Sequence, residues 1–290
     1  MLVTVIGIVA IILGLTGSNY LPTTAKPKAA PTKATPTPSP RVTAAADPLP
    51  TTEPAPPLLD RSDIDPVATL VSEQQDQAAT LLKTWWNTHG TDVDDDAFVT
   101  WASQQIPAAP TSFTRSQELS ELATRVRSRS PEDLKAARWL DRHADADGWE
   151  LLRKQQAALH AAGDDMPAAK ELRTAVDLAS RVAKLGSQRV SVPAPYVANA
   201  ALRDNQKAAK STAGCPCSYP SQIVARSAAA RRYLGDLSTH RRAEYLWFEA
   251  QVDTSQLLRG QAAPSDISAS AFIGDLVGRY VLVTRGHAKP

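Results

Sequence analysis

Between Asp65 and Thr284, apolar residues return every three or four positions, and nowhere over a useful length do they alternate every second one. That period lays them along one stripe of an α-helix instead of one face of a strand, so the chain is constrained to an all-α domain of packed helices. Val67, Leu70, Val71, Leu81, Leu82, Trp85 and Trp86 predict one first helix that stops near Gly90. Asp92, Asp94, Asp95 and Asp96 lack the Gly and closing Glu of a calcium loop. They read instead as acids at the start of the next helix, where the macrodipole favours them.

Further along, Pro107 and Pro110 break the chain, and Leu119, Leu122 and Val126 predict a helix over Thr114 to Arg127. Ser130-Pro131-Glu132-Asp133 is a helix start, with Ser130 as N-cap, Pro131 in the first turn and Asp133 at the capping-box position. Trp149 to Leu159 predicts another helix that ends around Gly163. Met166-Pro167 opens one that runs through Leu185 and is closed by Gly186. Residues 187–219 are irregular, with a short helix expected within Val197 to Ala209. Helices then start at Pro220, near Thr239, and at Pro264-Ser265-Asp266. Ile267 to Thr284 is apolar on balance, but Asp275 and Arg279 suit a buried helix better than a membrane span.

The ends are organised differently. Leu2 to Leu15 is an apolar run short of the roughly twenty residues a spanning helix needs. It predicts a signal peptide or membrane anchor within residues 1–20, although the first basic residue is Lys26. Residues 21–63 are rich in Pro, Thr and Ala, an extended linker that cannot bury a core. One helical domain over 64–287 remains, placed outside the cytoplasm, with the N-terminal segment as its only membrane contact. The net charge of +2 forms no basic stripe, which excludes a nucleic-acid partner. Cys215 and Cys217 are the only cysteines. They could close a very small ring or hold half a metal site, and idle thiols in a loop are the preferred reading. The histidines are scattered, so no metal or other cofactor is expected.

Two segments carry chemistry. Ser218-Tyr219-Pro220-Ser221-Gln222-Ile223 opens a helix, and Ser255-Gln256 is followed, after five residues, by Ala262-Ala263-Pro264-Ser265-Asp266. This frame resembles the superfamily of type-2 phosphatidic acid phosphatases and vanadium haloperoxidases, in the soluble haloperoxidase-like branch. Its motifs are Ser-Tyr-Pro-Ser-(Gly or Glu)-His and Ser-Arg, five residues, His-Tyr-Pro-Ser-Asp. Upstream, Lys184 and Arg189 match the basic segment Ala-Lys-Tyr-x-Tyr-Asn-Arg-Pro-Arg-Pro, and Ser191 stands where its second Arg would be. The similarity spans about residues 130–286.

A tetrahedral phosphate or vanadate needs Lys, Arg and helix-start N–H groups to balance its charged oxygens. The resemblance implies a bundle core in which one His attacks phosphorus, an Asp orients it, and a second His protonates the leaving oxygen. By position, Lys184 and Ser221 would be phosphate-binding remnants, and Asp266 would be the orienting carboxylate. Ile223, Gln256 and Ala262 replace the acid, a clamp Arg and the nucleophile. The expectation is a pseudoenzyme, an inactive phosphatase relative that binds a partner or serves a structural role. Its candidate ligand is a phosphate or other anion held weakly by Lys184, Arg189 and Arg259. Two alternatives stay open: an acid phosphatase with displaced catalytic groups, and an unrelated helical interaction module.

Overall fold

The computed structural model describes residues 56–143, 147–159, 164–204 and 216–290, all within one unit spanning 46–290. The apolar N-terminal segment and the linker up to residue 55 lie outside the described residues. Folding starts ahead of the expected boundary at 64. Leu59 is buried, and its backbone N–H and carbonyl both bond the side-chain amide of Gln251, at 3.0 and 2.9 Å.

The all-α expectation holds for the described residues. The single first helix is in fact two, α1 (Arg61–Ser72) and α2 (Gln75–His89), separated at Glu73 and Gln74. The apolar stripe continues through this break, so periodicity alone does not reveal it. Gly90 ends α2 with φ 67°, as a helix stop requires. In α3 (Asp95–Gln104), the Asp94 side chain caps the Ala97 N–H at 3.0 Å, which gives the acidic cluster its structural role. The helix expected over 114–127 is α4 (Ser112–Ser128). In α5 (Pro131–His143), Ser130 Oγ accepts from Asp133 N–H at 3.0 Å, and the Asp133 carboxylate accepts from Ser130 N–H at 2.7 Å. Each thereby satisfies a helix-start amide of the other.

Next come α6 (Trp149–Ala158) and α7 (Ala169–Val190). Gly186 does not close α7, which runs on to a left-handed Ser191 with φ 53°. The glycine instead permits close approach, since a Cβ there would lie 2.1 Å from Ile106 Cδ1 and 3.3 Å from the Pro220 ring. The irregular stretch contains α8 (Pro195–Ala198), a 3₁₀ turn (Ala200–Leu202), and an unexpected strand pair, β1 (Val192–Pro193) against β2 (Cys217–Tyr219), antiparallel. Residues 205–215, where the expected helix would finish, lie outside the described residues. Cys217 is disulfide-bonded, which corrects the idle-thiol expectation; Cys215 is the chain's only other cysteine.

The last three helices are α9 (Gln222–Leu237), α10 (Arg242–Leu258) and α11 (Pro264–Thr284). The helix α11 packs against α9, α7, α2 and α1, while α10 packs against α5, α9 and α1. Ile267, Ala271, Ile273, Leu276, Val277 and Val281 are all fully buried, each large side chain contributing roughly 1.5–3 kcal/mol. Although long and apolar enough to cross a membrane, α11 is wrapped by its neighbours. Contact with α9 is close because Gly274 and Gly278 carry no side chain. A Cβ on Gly274 would meet Ala228 Cβ at 2.2 Å and the Ala229 backbone nitrogen at 2.7 Å. At its far end Tyr280 stacks on Phe98 at 3.8 Å, and its hydroxyl accepts from Asp94 N–H and donates to Asp95.

Candidate functional site: the carboxylate at the start of the last helix

Pro264 needs no helical N–H at the first turn of α11, and Asp266 in the same turn faces inward, fully buried. One of its oxygens accepts from Ala263 N–H at 2.8 Å and from Ser218 Oγ at 2.6 Å. Arg115 of α4 places both terminal nitrogens on the carboxylate, at 3.0 and 3.2 Å. This two-pronged geometry is the strong form of a guanidinium–carboxylate bond. The same guanidinium donates to the Pro193 carbonyl of β1 at 3.0 Å and to Ser218 of β2 at 3.3 Å. One arginine thus ties α4, the strand pair and α11 together.

A second α4 side chain completes the closure. Glu118, one turn after Arg115, accepts from Ser265 N–H and Ser265 Oγ, both at 2.8 Å. A helix-start amide that could greet an anion is therefore occupied by an internal carboxylate. Burial pushes the Asp266 carboxyl above its ordinary range, against the pull of Arg115, Ser218 and the Ala263 amide. Ser218 is buried and donates inward, so its hydroxyl is a structural donor and not an exposed nucleophile.

The remaining candidate positions fall into three groups. Ser221 is brought close to Asp266: its N–H donates to Ser270 Oγ at 2.7 Å, and Ser270 in turn donates to the Asp266 carbonyl. It also caps α9, as its place before a helix suggests. Ile223 and Ala262 take part in apolar packing, Ile223 partly buried and Ala262 fully. Ile223 packs on the main core, while Ala262 is fully buried in a second cluster with Leu202, Val224, Leu257 and Ile267. The third group is drawn elsewhere. Buried Gln256 donates to Asp141 of α5 at 3.2 Å. Arg259 donates to Asp204 at 2.7 Å and pairs with Asp141.

Lys184 and Arg189 are exposed on α7; Arg189 reaches the Gln104 carbonyl at 3.4 Å, and Ser191 bonds the Gln188 carbonyl. Lys184 also lies well before the end of α7, so it does not cap that helix as a C-terminal cation. Lys184, Arg189 and Arg259 therefore do not form the expected anion grip. Arg115 and Glu118, which dominate the site, were not anticipated from sequence. Their only local signal is a three-residue spacing on one helix, and nothing in it indicates the distant carboxylate.

A second concentration of charge lies inside the bundle. Arg231 of α9 bonds Glu249 of α10 at 2.6 Å and pairs with Asp275 of α11 at 2.9 Å, all three buried. Asp253, one helical turn after Glu249, is fully buried, and neither of its oxygens accepts a hydrogen bond. Burial and the neighbouring Glu249 hold Asp253 well above its ordinary range. Burial likewise pushes Glu249 up to about 7, against the pull of Arg231. Comparison with protein-family models, with curated proteins and with solved structures finds no match to this chain.

Proposed function

We propose that the chain is a catalytically silent, exported or membrane-tethered helical domain of the phosphatidic acid phosphatase and haloperoxidase-like type, acting through binding or as a structural unit. The observation that carries this is the Arg115–Asp266 pair. The carboxylate matched to the nucleophile-orienting position has its bonding capacity taken by a guanidinium, a serine and an amide. Ala262 and Ile223 supply no imidazole; Ala262 is enclosed in apolar packing and Ile223 is partly buried against the main core. Attacking phosphorus and protonating a leaving group are roles that neither methyl nor hydrocarbon can fill.

The direct test is hydrolysis of a chromogenic phosphate monoester by the purified full chain in mild detergent. Turnover is expected to match buffer alone, with Asp266→Asn and Lys184→Ala indistinguishable from the parent. Hydrolysis above background that either substitution abolishes would establish a working phosphatase with displaced groups.

A further inference from the structure

Away from the Asp266 site, a cavity of about 210 Å³ opens between the second half of α9, the first turns of α10 and the start of α2. Its lining is dominated by guanidinium groups: Arg231 and Arg232 of α9 and Arg242 of α10, with Asp236, the Gln75 amide and Leu246 beside them. Asp236 is shared. One oxygen pairs with Arg242 at 2.9 Å and the other with Arg232 at 2.9 Å, while Arg279 of α11 stands 3.6 Å away. A single carboxylate between three guanidinium groups leaves donors over. Arg232 Nε is buried and has no acceptor, an arrangement that is unfavourable when left unsatisfied.

Charge points the same way as geometry. Arg231, Arg232 and Arg242 line the cavity with Asp236 as the one lining carboxylate, and Glu249 and Asp275 answer Arg231 from behind. Among the lining side chains the three arginines outnumber the one carboxylate, and guanidinium forks match planar or tetrahedral oxyanions. Size narrows the class, because drug-sized and nucleotide ligands occupy roughly 300 Å³ or more. Leu246 on the lining offers apolar contact to a short carbon stub next to the charged group.

We propose that this arginine-lined cavity binds a compact phosphate group, free or as a small monoester, with Arg232 and Arg242 as its principal donors. The site is separate from the Asp266 cradle and does not depend on the function proposed above. Calorimetric titration of the full chain in mild detergent, with inorganic phosphate and separately with glycerol 3-phosphate, tests it against a chloride control. Saturable binding of either probe is expected, and the preferred one identifies the free or esterified form. Arg242→Ala, at a half-exposed position that should leave folding intact, is expected to weaken binding about tenfold or more. Arg232→Gln, which keeps the stem packed against Gly278, should act likewise. Absence of saturable binding to both probes would overturn the assignment. So would binding that survives both arginine substitutions, or that is lost with Arg115→Met while Arg242→Ala leaves it intact.

Discussion

Arg115 and Asp266 meet from helices far apart in sequence and form a largely buried ion pair. Removing one partner of such a pair leaves a desolvated charge, which costs more than the pair itself contributes. Asp266→Ala is therefore expected to lower unfolding free energy by about 3–5 kcal/mol in urea titration. The Arg115→Met, Asp266→Ala double variant should lose less than the sum of the single losses. Additive losses would show that the two groups do not interact in solution. Asp266 itself was legible in the sequence, because Pro264-Ser265-Asp266 is a local helix-start signal. Arg115 was not, since its partners lie at positions 193, 218 and 266 and no spacing rule connects them. The partners of Arg259 were hidden for the same reason: the carboxylates it pairs with, Asp141 and Asp204, come from segments that only folding brings near.

Among the elements, α9 and α11 form the tightest contact, with the Gly274 Cα set against the Ala225, Ala228 and Ala229 turn. Little can yield there, because the atoms that a new Cβ would strike include the Ala225 carbonyl and the Ala229 nitrogen. Gly274→Ala is expected to cost about 3 kcal/mol through overpacking, at the upper end of such effects, despite the better helix propensity of alanine. Thermal unfolding would read this as a drop of several degrees, and an unchanged or raised midpoint would contradict the close packing. The elements themselves were mostly legible, since the Ser130–Asp133 start, the Asp94 cap and the Gly90 stop are local chemistry. Errors came where tertiary contact overrides it. Gly186 reads as a stop signal but serves close approach to Ile106 and Pro220, and the β1–β2 pair is too short to show alternation.

At the scale of the whole molecule, the buried carboxylates set how stability follows pH. Unfolded Asp and Glu side chains titrate near 4, whereas Glu249 titrates near 7 in the fold and Asp253 well above its ordinary range. The folded state thus binds more protons than the unfolded chain between these limits, so unfolding free energy falls as pH rises from about 4 to about 7. It levels off only once both Glu249 and Asp253 are ionised in the folded state as well. Asp253→Asn is expected to flatten this slope and to raise stability at pH 8 by roughly 1–3 kcal/mol. Denaturant midpoints across a pH series would settle the sign, and stability that rises toward neutrality would refute it.

The helix α11 is the last of the described helices in chain order, and α9, α7, α2 and α1 all pack on it, so each of them keeps part of its buried face uncovered until it arrives. A nascent chain that has not yet delivered α11 therefore offers those apolar strips to solvent or to a chaperone, even where α7, α9 and α10 already touch.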